Sequence, residues 1–362
     1  MSHDRILIKG NEAVAFGALD AGCRCYFGYP ITPQNEIPET MSLRLPECGG
    51  QFVQAESEVA AINMLLGAGA CGIPAMTSSS SCGISLMQEG ISYMAGSHIP
   101  AVIVNMERGG PGLGDIGPSQ GDYFQAVKGG GHGDHRNLVL APSTAQECYD
   151  MMFRAFALAF KYANPVMLLG DAIVAQIKEP VRRQPPADAL SPEALAELAA
   201  PWRMEGYGKR GSGAKPRLLK SVYLAEGALA ARNRLLMEKY AAMQAEACAE
   251  CWNTDDAELV VVAFGSMARI ARSAIRKLRE EGLKAGLFRP KTLYPFPADA
   301  LRALAPGRRF LVIEQNTGQM VEDVRLSLMG ENAKVDWHGV MPGLFIGADA
   351  LEDPIRQACK EN

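Results

Sequence analysis

Short apolar runs alternate with amphipathic stretches through the first half of the chain, the pattern of an α/β domain. Arg5–Lys9 and Cys25–Tyr29 are predicted strands around a helix at Asn11–Ala21. Val59, Ile62, Leu65 and Leu66 recur at helical spacing, which predicts a helix over Glu56–Leu66. Pro74–Thr77 reads as a strand, Ile84–Met94 as a helix and Ala101–Met106 as a buried parallel strand. A helix at Cys148–Tyr162 and a strand at Val166–Leu169 complete this unit.

The pattern changes after Glu179-Pro180. From Gln184-Pro185-Pro186 to Gly211-Ser212-Gly213 the chain is rich in Pro, Gly and charge and reads as a connection. A long charged helix is expected over Ser221–Glu246. A second α/β unit follows, with strands at Leu259–Phe264, Ala285–Phe288 and Phe310–Ile313 and helices at Ala268–Glu281 and Val321–Met329. The expected division is therefore 1–180, a 181–255 linker with its helix, and 256–362.

Composition narrows the function classes. The 362 residues carry 36 Lys+Arg against 40 Asp+Glu, a formal −4, which argues against a dedicated nucleic-acid binder. Residues 1–180 are acidic and the last third slightly basic, so a polyanionic ligand is expected to meet the back half. No stretch approaches the ~20 apolar residues of a membrane span, and Met1-Ser2-His3-Asp4-Arg5 does not open a signal peptide. Nine scattered cysteines do not form a secreted disulfide framework, and a cytoplasmic protein is expected. The single C-x-x-C, Cys248 to Cys251, has no second pair and reads as chance spacing on a helix; no metal is assigned.

Two G-x-G-x-x-G strings occur and neither has the context of a dinucleotide site. Gly67–Gly72 ends a predicted helix, while Gly112–Gly117 follows a strand but runs into Pro118. More informative is the loop from Gly109 to Gly133, in which ten of 25 residues are glycine. It leaves the carboxyl end of strand Ala101–Met106, where open α/β sheets bind ligands. Arg108 there offers a guanidinium fork to a carboxylate, or an ion pair to Glu107; composition weighs the two equally. His132-Gly-Asp134-His135 reads as a solvated loop. At another strand end, Tyr29-Pro30-Ile31-Thr32-Pro33 fixes Thr32 between prolines, either to aim its hydroxyl or to cap a helix. Glu56 and Glu58, two apart, cannot share a helix face and so are not a paired acid–base site. One could point inward while the other is solvated, and interaction with the helix dipole is the commoner role of an isolated acid.

In order, Gly28-Tyr-Pro30-Ile-Thr32-Pro33, Glu56-Ser-Glu58-Val-Ala-Ala-Ile62, Ser85-Leu-Met-Gln-Glu89-Gly90 and Glu107-Arg108-Gly-Gly-Pro111 resemble the alpha subunit of 2-oxoacid:ferredoxin oxidoreductases. Phe264-Gly265-Ser266, Phe288-Arg289-Pro290-Lys291-Thr292-Leu293-Tyr294-Pro295 and Glu314-Gln-Asn-Thr-Gly318-Gln319-Met320 extend the resemblance to the back half. Pro33-Gln34-Asn35-Glu36-Ile37-Pro38 and Gly131-His-Gly133-Asp134 resemble the 2-ketoisovalerate branch, with 2-oxoglutarate as runner-up.

The resemblance implies two three-layer α/β domains, one binding the pyrimidine of thiamine diphosphate and one like the transketolase C-terminal domain. Glu58 matches the glutamate that hydrogen-bonds the aminopyrimidine ring, Pro30 a cofactor contact, and Thr32 and Arg108 positions holding the 2-oxoacid carboxylate. The diphosphate element Gly-Asp-Gly…Asn is absent, the nearest string being Gly170-Asp171-Ala172. The resemblance therefore implies that Mg2+ and the diphosphate sit on a beta subunit, that [4Fe-4S] clusters sit on gamma and ferredoxin-like partners, and that coenzyme A and ferredoxin are co-substrates. A scaffold of the same fold without cofactor contact, and a dinucleotide-dependent dehydrogenase, are the competing readings.

Overall fold

The computed structural model describes residues 5–206 and 217–360; Met1–Asp4 and Gly211–Gly213, read above, lie outside them. Its main sheet has seven strands, ordered Thr292–Tyr294, Leu138–Leu140, Pro165–Asp171, Ala101–Glu107, Ala75–Ser79, Cys25–Gly28 and Gln51–Gln54. The six strands from the front half are all parallel. Helices cover both faces, because alternate residues of each strand face opposite cores. Val102, Val104 and Met106 enter one apolar cluster, and Ala101 and Ile103 the other.

A second sheet of five strands is ordered Val335–Gly339, Arg309–Glu314, Leu259–Val262, Ala285–Pro290 and Ala249–Trp252. Leu259, Val261 and Ala263 pack outward against helices Gly265–Glu280 and Asp349–Lys360. Val260, Val262 and Phe264 turn inward and join the core that also holds Ile103, Val139 and Met167 of the first sheet. The two units thus share one apolar core.

Four features depart from the sequence reading. Arg5–Lys9 leaves the main sheet and pairs antiparallel with Lys178–Arg182 in a two-stranded sheet of its own. Thr292–Tyr294, from the back half, pairs antiparallel with Leu138–Leu140 and so extends the front sheet. Ala249–Trp252, inside the expected linker, is the edge strand of the second sheet, so Cys251 lies on a strand rather than a helix. The long linker helix begins at Ala228, not Ser221, because Gly227 at its cap adopts φ +73°. Among the described residues no helix is long and apolar enough to cross a membrane.

Candidate active site

Four chain segments meet at the carboxyl ends of the central parallel strands. The first is the helix Glu58–Ala70, which starts where Ser57 accepts a hydrogen bond from Ala60 N at 3.2 Å. That cap fixes the first helical residue, Glu58, facing inward with 5% of its surface exposed, while Glu56 stands in solvent. Among the described residues nothing hydrogen-bonds or pairs with the Glu58 carboxylate.

What faces Glu58 is the first turn of helix Cys82–Ser97. A Cβ on Gly83 would stand 2.0 Å from Ser79 Oγ and 2.5 Å from Glu58 Oε1, so only glycine lets the two helices close here. Ser79 and its neighbour Ser80 are fully buried, with hydroxyls that find no partner. Buried hydroxyls without partners are costly. They fit a polar, hydrogen-bonding ligand such as an aminopyrimidine ring entering beside Gly83.

On the other side of that helical turn stands Arg108. Its Nη1 donates to Thr32 O at 3.1 Å and its Nη2 to Cys82 Sγ at 3.2 Å, while its buried Nε has no partner. It makes no ion pair with Glu107 among the described residues. Glu107 turns inward instead and accepts from Asp122 N at 2.8 Å, 1% exposed. Burial, with the Asp122 charge second, pushes the Glu107 carboxyl well above the usual carboxylate range.

Thr32 is half-buried in a turn rather than at a helix cap. The following helix starts only at Glu36, with Asn35 as its cap, so the helix-start reading of Thr32 and Pro33 does not hold. The turn is held from beneath. Gln34 is buried and its Oε1 accepts from Ser78 Oγ at 2.5 Å, and Ser78 in turn meets Tyr26 Oη at 2.7 Å. Pro33 O accepts from Asn11 Nδ2 at 2.7 Å and Gln176 Nε2 at 3.0 Å. Pro30 lies two residues upstream of Thr32, exposed to solvent. The structure therefore brings Thr32 and Arg108 into contact and sets Glu58 across one helical turn from them.

A cleft of about 800 Å³ opens beside Thr32 and Pro33. Its walls include Ile116, Ile173, Ile270 and Phe345, from both halves of the chain; Glu58 and Arg108 do not line it. The glycine loop reaches this cleft because it is welded to the second unit. Gln120 exchanges hydrogen bonds with the Gln315 backbone at 2.8 and 3.0 Å, and its Nε2 donates to Phe264 O at 2.9 Å. Sequence reasoning missed Gln120, although its place inside a glycine-rich loop was a signal. It also missed Ser79, Ser81 and Gly83, whose small side chains carry no signature without the fold.

Other candidates resolve into structure. Asp171 caps helix Ala172–Gln176 through Ile173 N and Val174 N, and its second oxygen accepts from Ser266 N at 3.1 Å. Both oxygens are thus engaged within the chain. His132 and Asp134 are exposed, but His135 is buried, and burial lowers its pKa. Gly67–Gly72 turns the chain out of a helix, Gly72 at φ +72°. Among the described residues no group of three or more His, Cys, Asp or Glu side chains could hold a metal ion.

Residues 16–215 match the family described as pyruvate flavodoxin/ferredoxin oxidoreductase, thiamine diphosphate-binding, and residues 257–344 match pyruvate:ferredoxin oxidoreductase core domain II. The chain is 50% identical over 323 residues to the ketoisovalerate oxidoreductase subunit VorB of Methanothermobacter thermautotrophicus, covering 89% of each. It is 38% identical over 331 residues to the 2-oxoglutarate synthase subunit KorA of Archaeoglobus fulgidus, covering 88% of this chain and 90% of that one. Among solved structures, the 2-oxoglutarate:ferredoxin oxidoreductase of Magnetococcus marinus superposes with a TM-score of 0.85 at 26% identity. That match covers 99% of this chain and 66% of the other. Transketolase from Campylobacter jejuni shares the fold, with a TM-score of 0.55 at 10% identity over 98% of this chain and 44% of its own. The chain belongs to the pyruvate flavodoxin/ferredoxin oxidoreductase family.

Proposed function

We propose that this chain is the subunit of a ferredoxin-linked 2-oxoacid oxidoreductase that supplies the pyrimidine half of a thiamine diphosphate site, and that its substrate is a branched-chain 2-oxoacid. The overall reaction turns a 2-oxoacid and coenzyme A into an acyl-CoA and carbon dioxide and passes two electrons to ferredoxin. When bound, thiamine diphosphate supplies the carbon nucleophile and the electron sink for the decarboxylation. The protein's part is to place charge and exclude water.

The observation that carries this reading is the meeting of the Glu58 carboxylate with the unpartnered, buried Ser79 hydroxyl at Gly83. Glu58 and Ser79 converge on one point, with no partner of their own, in a domain that matches a thiamine diphosphate-binding family. Glu58 would accept from the pyrimidine ring. Arg108, with a free buried Nε beside two engaged terminal nitrogens, and Thr32 would hold the substrate carboxylate. The diphosphate and its Mg2+ are assigned to a beta subunit, since Asp171 is consumed as a helix cap. Iron–sulfur clusters are assigned to gamma and ferredoxin-like partners. The free cysteines suit the reducing cytoplasm.

Substrate choice rests on two supports. The identity to a ketoisovalerate oxidoreductase subunit, 50%, exceeds that to the 2-oxoglutarate synthase subunit, 38%. The cleft beside Thr32 is walled by isoleucines and Phe345 and carries Asp115, which would repel a second substrate carboxylate; Glu36 there is already paired with Lys9. Arg269, the cation on that wall, is already paired with Glu179. Initial rates of viologen-dye reduction by the assembled complex with ketoisovalerate, pyruvate and 2-oxoglutarate test the assignment. The highest kcat/KM is expected for ketoisovalerate; a preference for 2-oxoglutarate overturns the branched-chain reading.

A further inference from the structure

Beneath the Arg108 clamp lies a hydrogen-bonded chain that the proposed chemistry does not itself require. Arg108 N donates to Ser81 Oγ at 3.0 Å, and Ser81 Oγ donates to Asp122 Oδ2 at 2.7 Å. The same Asp122 oxygen accepts from Asn105 Nδ2 at 2.8 Å, and Asn105 Oδ1 accepts from Ser81 N at 3.0 Å. The ring Asp122–Ser81–Asn105 is thus closed on itself, and Arg108 hangs from it by its backbone. Asp122 is in turn held by its own N–H on Glu107.

Ser81 sits in a conformation that non-glycine residues rarely adopt, φ +32° and ψ −88°, at the turn that opens helix Cys82–Ser97. Such strain persists only where surrounding contacts over-determine the backbone. The contacts here are the two Ser81 bonds to Asn105 and Asp122. That turn also carries Cys82, against which the guanidinium rests, and Gly83, against which Glu58 rests. Two loops and the end of strand Ala101–Glu107 are therefore locked to each other at one carboxylate.

We infer that Asp122 is a positioning residue for the 2-oxoacid carboxylate clamp, acting through Ser81 on Arg108. This rests on the clamp assignment of Arg108 made above. Its role is geometric: the oxygen that receives Ser81 and Asn105 fixes where Arg108 leaves the sheet, and hence where its guanidinium meets the substrate carboxylate. An asparagine oxygen in the same place accepts the same two bonds, whereas alanine accepts neither. Ser81→Gly removes the hydroxyl while relieving the backbone strain, so it separates loss of the link from misfolding.

The test compares the assembled complex carrying Asp122→Ala, Asp122→Asn, Ser81→Gly or Arg108→Gln, with two substrates. One is the branched 2-oxoacid. The other is the aldehyde with the same side chain, which gives the same acyl-CoA by losing two electrons to the dye and two protons to solvent, with no carboxylate to hold. The expected result is a KM for the oxoacid raised at least tenfold by D122A and S81G, a KM for the aldehyde within twofold of the parent, and recovery of the oxoacid KM in D122N. Equal losses with both substrates would show a merely structural role and overturn the inference. So would an unchanged oxoacid KM in D122A and S81G beside a raised one in R108Q. An unchanged KM in R108Q itself removes the clamp assignment, and the Asp122 role with it.

Discussion

Arg108 Nη1 lies 3.1 Å from the carbonyl oxygen of Thr32, joining residues 76 positions apart at the ends of two strands of one parallel sheet. The bond leaves Nε and the remaining guanidinium protons for a ligand. It also fixes the plane in which a carboxylate would be received. Replacing Arg108 with Lys keeps the charge and loses the fork, so the substitution is not conservative here. The oxoacid KM should rise by ~10–100-fold in R108K, about 1.4–2.8 kcal/mol of lost carboxylate binding. Steady-state dye reduction over a range of oxoacid concentrations reads this directly.

Gly83 is expected to be intolerant of a single methyl group. An alanine Cβ would stand 2.0 Å from Ser79 Oγ and 2.5 Å from Glu58 Oε1, far inside van der Waals contact. Either side chain must move, and both are groups assigned to the cofactor. Gly83→Ala should therefore weaken thiamine diphosphate binding to the complex by at least tenfold. Cofactor titration followed by protein fluorescence measures it, and unchanged affinity would contradict the placement of the pyrimidine beside Gly83.

These features show where the sequence was readable. Glu58, Thr32 and Arg108 were nominated by a pattern of motifs, but spacing left open which of Glu56 and Glu58 turns inward; the Ser57 cap, which leaves Glu56 outside the helix, decides it. The core strands were legible too, because parallel strands buried on both faces are continuous apolar runs, as in Ala101–Met106. The edges were not. Thr292–Tyr294 and Ala249–Trp252 are short, and their places depend on pairing with residues roughly 150 and 35 positions away. Arg5–Lys9 reads as a core strand but exposes Leu7, 68% accessible, because it pairs with Lys178–Arg182. Ser81 and Asp122 carry no local signature, since their meaning comes from two loops meeting at a strand end.

Glu147 and Arg289 tie the two units together by a bidentate pair, at 2.6 and 2.8 Å, with Arg289 4% exposed. Burial works to raise the Glu147 pKa, but Arg289, with Lys291, holds it down to about 2. A folded-state pKa below the unfolded value gives stability that is present above about pH 4.5 and lost as pH falls toward 2. The shift corresponds to roughly 3 kcal/mol. Glu147→Gln should lower stability by about that amount at neutral pH and flatten its dependence on pH below 4.5. Denaturant unfolding of the complex at a series of pH values provides the comparison.

Gln120 should hold the glycine loop. Its side chain and backbone bond the Gln315 backbone, Phe264 O and Asn316 Nδ2. Gln120→Ala leaves the buried Gln315 N–H without its partner, at ~1–3 kcal/mol, and takes one of two donors from the Phe264 carbonyl, which keeps the Ala268 N–H. Hydrogen exchange of the segment 109–121 should accelerate by at least tenfold while the strand Leu259–Val262 stays protected. Exchange unchanged in the loop would mean that Gln120 is not its anchor.

The central claim is that Glu58 is the carboxylate that engages the cofactor's pyrimidine ring. Glu58→Gln keeps the size and the packing against Gly83 and removes the charge. The measurement is 2-oxoacid-dependent reduction of a viologen dye by the complex assembled with its beta and ferredoxin-like subunits, at saturating thiamine diphosphate. The account predicts a fall in kcat of at least 100-fold, about 2.7 kcal/mol of barrier, with the complex still assembled. A rate equal to that of the unsubstituted complex would contradict it.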